Sequence, residues 1–263
     1  MKFKKLVSAA VMSCALASGA AFATPFTMNL NSLDPDIGFL GTNGITHLIH
    51  QLGLNWSATS TFTDLDANGV DIGDAVVDVG SGGINAYLGA GAVALSGAEA
   101  NEGLNVLYGI NFSYNDLVGT VAFVDPLNPG GIVASYTSGT ISVFMNGDPL
   151  QEILSLGVTG SAGTVGNLLL FADVLSVDTG IFRFNGVDDW ALSPVVISAR
   201  IDTNLDPVPP VSAGVDQSGR PLFARTATLD GSASFAVPEP GILALLGLGL
   251  VGIGAVRRMK KSA

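Results

Sequence analysis

Trp56-Ser57-Ala58-Thr59-Ser60-Thr61-Phe62-Thr63 is a polar, β-prone segment that sets Trp56, Ala58 and Phe62 on one alternating face. A period of two marks a strand with one side buried, and aromatic and β-branched residues fit a pleated, half-buried surface. Further along, Val118 to Val124 runs into Asp125-Pro126-Leu127-Asn128-Pro129-Gly130-Gly131, a doubled turn signal. The following pieces are Ile132 to Thr137, Thr140 to Asn146, Leu168 to Val177, Gly180 to Asn185 and Val195 to Ile201. They are parted by Ser138-Gly139, Gly147-Asp148-Pro149 and Asn185-Gly186, and Tyr136-Thr137-Ser138-Gly139-Thr140 reads as a hairpin. Turn signals at intervals of about 8 to 12 residues predict an all-β domain, a β-sandwich or jelly roll.

Gly44 to Leu54 and Gln151 to Leu156 are the two places where a turn or two of helix fits. Asp206-Pro207-Val208-Pro209-Pro210 breaks the pattern, but the stretch from Val211 to Ala236 is too small to hold a core of its own. It therefore belongs to the same domain, with Leu222 to Leu229 and Gly231 to Phe235 as a closing strand or pair of strands. The organisation read from the chain is a leader over residues 1–23, a body over 24–236 and a tail over 237–263.

Charge divides the chain in the same way. The whole sequence of 263 residues carries 11 Lys and Arg and a formal net charge of −11. Between residues 24 and 236 there are 21 acidic residues against Arg183, Arg200, Arg220 and Arg225, a net −17 without one lysine. Such a body repels phosphate backbones, which excludes a nucleic-acid partner. The single cysteine, Cys14, excludes a disulfide framework and a multi-cysteine zinc site.

The leader begins Met1-Lys2-Phe3-Lys4-Lys5, continues apolar from Leu6 to Ala17, and ends Ala21-Phe22-Ala23. A basic start, a short apolar stretch and small residues at the end form a signal peptide for signal peptidase, with the cut after Ala23. Cys14 sits inside the apolar stretch, too early for a lipoprotein site. At the other end, Val237-Pro238-Glu239-Pro240 precedes 16 apolar residues from Gly241 to Val256. Arg257, Arg258, Lys260 and Lys261 follow, the basic stop-transfer end of a short membrane helix. The body is thus held outside the cytoplasm in the precursor. Gly247-Leu248-Gly249-Leu250-Val251-Gly252 matches the dinucleotide fingerprint only in spacing, since no strand precedes it and no acid follows at the required distance.

Pro238-Glu239-Pro240, a short apolar helix and an Arg-rich end together resemble the PEP-CTERM sorting signal of Gram-negative bacteria. The resemblance implies an exosortase partner, removal of the tail, and delivery of the mature protein to the cell surface or extracellular matrix. Pro238, Glu239 and Pro240 are then a recognised substrate motif, held clear of the helix because proline fixes an extended backbone and cannot join a helix interior. The body also resembles flocculation-associated PEP-CTERM proteins through Phe62 to Gly69, Tyr136 to Thr140 and Leu229-Asp230-Gly231-Ser232.

For chemistry, Asp64-Leu65-Asp66-Ala67-Asn68-Gly69-Val70-Asp71-Ile72-Gly73-Asp74 begins as a calcium loop does, with alternating oxygens and a glycine at the sixth position. Asp64, Asp66, Asn68, Asp71 and Asp74 are its candidate ligands, although the twelfth position, normally a bidentate Glu, is Ala75. The other reading is a solvated hairpin whose Asx residues satisfy their own backbone. His47 and His50 lack a third ligand at a recognisable spacing. Neither a Gly-x-Ser-x-Gly elbow nor a phosphate-binding loop occurs in the body, so no catalytic residue is assigned. Asp188-Asp189-Trp190 places an acid pair beside an aromatic, the one glycosidase-like feature. Trp56, Tyr87, Tyr108, Tyr114, Tyr136 and Trp190 are candidate sugar platforms. These observations lead to a non-enzymatic, adhesive surface or biofilm-matrix protein associated with exopolysaccharide or flocculation. The alternatives are a lectin-like carbohydrate-binding module, with or without calcium, and a secreted polysaccharide hydrolase.

Overall fold

A computed structural model describes residues 23–32, 43–97, 100, 102–106, 108–145, 151–184, 187–193, 196–206 and 208–237. Residues 1–22 of the expected signal peptide, Cys14 among them, lie outside the described residues, as do Pro238, Glu239, Pro240, the expected apolar helix from Gly241 to Val256 and the basic end. The described chain is all-β apart from short 3₁₀ turns. Its strands are β1 (Phe26–Met28), β2 (Gln51–Thr63), β3 (Ala75–Leu88), β4 (Ile110–Val124), β5 (Ile132–Ser138), β6 (Thr140–Met145) and β7 (Glu152–Thr164), followed by β8 (Asn167–Val177), β9 (Phe182–Phe184), β10 (Asp188–Asp189), β11 (Ser198–Leu205), β12 (Val211–Val215) and β13 (Pro221–Ala236).

Two packed sheets were the expectation; instead one ten-stranded sheet closes on itself. Its order is β11-β8-β7-β6-β4-β3-β2-β13-β12, β5 extends β6 along β4, and β11 pairs back onto β13. The ring therefore follows the chain as an up-and-down meander, and the residues from Ala23 to Phe235 form one compact unit. Alternation along each strand is the same for a sandwich and a barrel. The difference comes from the ends of the chain: β13 pairs antiparallel with β2 from Leu222↔Thr63 to Ala233↔Leu52, leaving neither strand an open edge over that length.

Inward positions of β2 are Leu54, Trp56, Ala58, Ser60 and Phe62, all buried, as the alternation predicts for Trp56, Ala58 and Phe62. Leu154 and Leu156 of β7, Ile141 and Val143 of β6, and Phe112 of β4 meet them inside. The two segments with room for helical turns are extended: Gln51 to Leu54 opens β2, and Glu152 to Leu156 lies in β7. Burying one face against the barrel core outweighs their weak helical preference.

Tyr136 to Thr140 is not a hairpin. Val118 pairs with Ser138 and Ser113 with Ser142, so β5 and β6 are one line along β4, kinked at Gly139. The kink faces a bulge in β4, where Asp116 Oδ1 accepts the Thr140 N–H at 2.8 Å. Gly139 has φ +142, and a Cβ there would lie 2.5 Å from Leu117 Cδ2 and 2.8 Å from the Asp116 carbonyl oxygen, so glycine is required for space and for backbone angle. The Asp125 to Gly131 turn forms as read: Asp125 Oδ1 accepts from Leu127 N–H and Asn128 Oδ1 from Gly130 N–H. Leu222 to Phe235 lies within one long strand, β13.

One end of the barrel is capped by a small sheet, β1-β9-β10, with Phe26 opposite Phe184 and Met28 opposite Phe182. Trp190, on the 3₁₀ turn after β10, is 2% exposed and has ring centroids at 5.2 Å from Phe26, 5.1 Å from Phe182 and 4.9 Å from both Phe184 and Phe235. Phe235 belongs to β13, so this aromatic cluster fastens the cap to the wall. Met28, Phe182 and Phe235 leave an apolar cavity of about 60 Å³ above Trp56 and Phe112. Replacing Trp190 by Ala is expected to lower unfolding free energy by about 3–5 kcal/mol in a denaturant titration. Leu127→Ala, at a side chain 92% exposed, should stay within about 0.5 kcal/mol of the parent.

Candidate functional site

The acidic loop joins β2 to β3, and its carboxylates turn inward on their own backbone. Asp64 is 1% exposed; its Oδ1 accepts N–H bonds from Asp66, Ala67 and Asn68, and its Oδ2 accepts from Gly69 at 2.8 Å. Asp74, also buried, accepts from Leu65 N–H on Oδ1 and Asp71 N–H on Oδ2, both at 2.9 Å. Ala67 takes φ 63, and the tight curl collects the donors around one carboxylate. Burial pushes the Asp64 carboxyl up, but the four N–H donors together hold it below the ordinary value. Asp66 is raised by burial and by the charge of Asp71.

The carboxylate oxygens of Asp64, Asp66 and Asp74 come within 4.8 Å of one another. Asn68 donates its side-chain amide to both Asp66 Oδ2 and Asp71 Oδ2, at 2.9 and 3.1 Å, placing a hydrogen-bond donor between two acids. Both carboxylate oxygens of Asp64 and of Asp74 already accept backbone protons. A cation would meet exposed Asp66 and Asn68 and half-buried Asp71, beside the remaining lone pairs of Asp64 and Asp74.

The other singled-out residues are distributed through the fold. His47 and His50 lie on an extended segment where Ile49 pairs with Phe26, and His47 is exposed while His50 is half-buried. Asp189 caps the turn carrying Trp190: its Oδ1 accepts from Ala191 N–H and its Oδ2 from Gly180 N–H. Asp188 is exposed and adjacent in the same strand, so the two acids do not form a facing pair. Trp56, Tyr87, Tyr114, Tyr136 and Trp190 are all buried, and Tyr108 is half-buried. The expectation of sugar platforms is corrected for the buried five: closing the barrel turns their rings into its core and cap.

A buried polar group inside the barrel escaped the reading of motifs. Asp78 of β3, 8% exposed, accepts a hydrogen bond from Tyr136 Oη of β5. Arg225 of β13, 6% exposed, donates to the carbonyls of Gly130 and Ile132 at 3.2 and 3.3 Å and lies 5.4 Å from the Phe62 ring centroid. Burial pushes Asp78 up despite the Tyr136 hydrogen bond and the Arg225 charge, and pushes Arg225 down. The available signal was the alternation of Val76, Asp78 and Gly80, which aims the carboxylate inward.

Opposite pH behaviour follows from the two acids. Asp64 has its folded value below the unfolded one, so its contribution is present above the unfolded range and disappears on acidification. Asp78 has its folded value above the unfolded one, so stability is lost as pH rises from the unfolded value through the folded one. In thermal melts, the midpoint difference of Asp64→Asn from the parent should become more negative between pH 3 and pH 7, as measured in about unit steps across the carboxylate range. That of Asp78→Asn should move in the positive direction.

The last strand of the barrel ends at Ala236. Residues 236–258 match the family model for the PEP-CTERM protein-sorting motif. No curated protein and no solved structure matches the chain. The matched motif directs export through the membrane and exosortase processing toward a cell-surface or extracellular location. By that tail, which begins where the final barrel strand ends, the chain is a PEP-CTERM protein.

Proposed function

We propose that the chain is the precursor of a non-enzymatic structural or adhesive protein, whose barrel is displayed at the surface or in the extracellular matrix and contributes to exopolysaccharide association or flocculation. The observation that carries this reading is the junction: β13 ends at Ala236, and the sorting motif begins at the same residue. Exosortase therefore removes the tail without taking a strand from the ring. The net −17 of residues 24–236 keeps such a body dispersed in a matrix, and divalent cations bridge its carboxylates to acidic polysaccharide. Two ionisable groups with shifted titration inside the barrel, Asp78 and Arg225, are hydrogen-bonded to Tyr136 and to the Gly130 and Ile132 carbonyls, which favours a scaffold over a catalyst.

Replacing Pro238, Glu239 and Pro240 by Ala should leave full-length precursor in the membrane fraction, whereas the parent yields a shortened body at the surface or in the medium. Mass spectrometry of both fractions reads the result. Loss of cell clumping on deletion of the protein, or on chelation, supports the adhesive role; unchanged clumping in both overturns it and leaves the sorting result standing.

A weak calcium site on the acidic loop is a second reading, favoured by the 4.8 Å convergence of Asp64, Asp66 and Asp74. Asp66, Asn68 and Asp71, with the remaining lone pairs of Asp64 and Asp74, would supply the oxygens, giving affinity on the order of 0.1–1 mM. Calorimetric titration should show heat that Asp66→Asn with Asp71→Asn removes; a flat titration of the parent ends this reading.

A further inference from the structure

The outer wall of the barrel carries hydroxyl residues in register across successive strands. Thr228 of β13 pairs with Ser57 of β2, Ser57 with Ser81 of β3, Ser81 with Ser113 of β4, and Ser113 with Ser142 of β6. Ser57 stands between buried Trp56 and Ala58, Ser113 between Phe112 and Tyr114, Ser142 between Ile141 and Val143, and Thr228 between Ala227 and Leu229. Adjacent strands lie about 4.8 Å apart, so the band crosses roughly 19 Å of wall.

The middle of this band is concave. A hollow of about 510 Å³ is lined by hydroxyl and amide residues, Ser57, Thr59, Ser81, Ser113, Asn115, Thr140 and Ser142, together with Val79, Gly80 and the buried Tyr114. Its floor depends on the packing beneath it: a Cβ at Gly80 would lie 2.4 Å from the Tyr114 hydroxyl, so the glycine lets that ring lie flat inside the wall. The bulge between Asp78 and Gly80, opposite Asn115 and Asp116, bends the strands around the hollow. Its volume falls in the range of small-ligand sites, about 300–1,000 Å³.

Three properties define the occupant. First, the lining has no charged side chain, although residues 24–236 carry a net −17. Second, the side chains of Ser57, Ser81, Ser113, Asn115 and Ser142 make no hydrogen bond to the protein among the described residues, whereas Thr59 Oγ1 is 2.9 Å from Thr226 Oγ1. Third, a hydroxyl both donates and accepts, and an amide offers both on separate atoms. An array of this kind matches a ligand that is itself an array of hydroxyls. It offers a polyanion nothing, since the surrounding field repels it.

We infer that this hollow binds a neutral polysaccharide chain laid across β2, β3, β4 and β6, with Ser57, Ser81, Ser113, Asn115 and Ser142 reading its hydroxyls. The inference rests on the proposed function only in placing the barrel outside the cell, where such chains occur. Recognition runs through hydroxyl and amide groups rather than ring stacking, because Trp56 and Tyr114 face the core. Each sugar is therefore held weakly, and contacts repeated along the band supply the affinity.

The test is affinity electrophoresis of the full chain, kept in a detergent without a sugar headgroup, through gels containing hydroxyethylcellulose, dextran or alginate. With chelator in the gels, which removes cation bridging, retardation by a neutral polymer and not by alginate is expected. Ser81→Val with Ser113→Val should weaken it by about tenfold, and Ser57→Arg, at an exposed rim position, should do the same with an unaltered melting profile. Leu127→Ala should leave it unchanged. Passage without retardation in both neutral polymers overturns the inference, as does retardation indifferent to the hollow variants or seen with alginate alone. Clumping that depends on the protein in cells, alongside no binding in these gels, would reject the groove and leave the surface role intact.

Discussion

The pairing of β2 with β13 is the constraint on which the rest of the structure depends. It joins Leu52 to Ala233 and Thr63 to Leu222, residues far apart in sequence, and with the β11–β13 pairing it turns a meander into a ring. A meander without that seam would expose two rows of unpaired backbone groups and an apolar inner face. With it, each ring strand has a neighbour on both sides and the inner face has a single closed core. The entropy of closing so long a loop grows only slowly with its length, whereas the ladder adds stabilisation residue by residue. Closure is also the step that long-range topology makes slow.

Three features hang on the same strand. Near its end, Phe235 reaches Trp190 and Phe26, so the cap over the barrel mouth is held by the last ring strand. Near its start, Arg225 spans to the carbonyls of Gly130 and Ile132, tying the β4–β5 turn across the interior. Between them, Thr228 extends the hydroxyl band beside Ser57. The interior is consequently graded: aromatic and aliphatic toward the cap, polar around Asp78, Tyr136 and Arg225. Each of those buried polar groups has hydrogen-bonding partners on other strands. Such bonds favour one alignment, because an interior donor or acceptor displaced from its partner loses solvation without compensation.

The outer surface obeys a different rule. Apolar side chains of β2 face in and hydroxyls face out, whereas β3 and β8 also expose Val77, Val79, Phe171 and Leu175. In the Asp64 to Asp74 loop, backbone donors satisfy Asp64 and Asp74 without a partner of opposite charge. The single ion pair among the described residues, Arg220 with Asp216 at 2.7 Å, closes the β12–β13 turn. Charge also stands on the wall, at Asp116 of β4, Arg200 of β11 and Asp230 of β13, whereas the hollow across β2, β3, β4 and β6 is lined without it.

The sequence by itself determined the address and the class of structure. Pro238-Glu239-Pro240 with its apolar and basic continuation is contiguous, and so are the alternation from Trp56 to Thr63 and the Asx turns at Asp64 and Asp125; each is local chemistry acting over a few residues. The same locality explains what misled. Ser138-Gly139 carries the letters of a turn, yet the Asp116 bulge opposite it converts them into a kink within one strand line. Aromatics at Trp56, Tyr114 and Tyr136 are equally suited to a sugar face or a core, and only closure decides which side of the wall is inside. Asp78 and Arg225 become neighbours, and five hydroxyl residues become a band, through register between distant strands. A pattern of period two specifies which side chains share a face; it contains no information about which strand comes to lie beside it, and that was decided by the shape and packing of the whole ring.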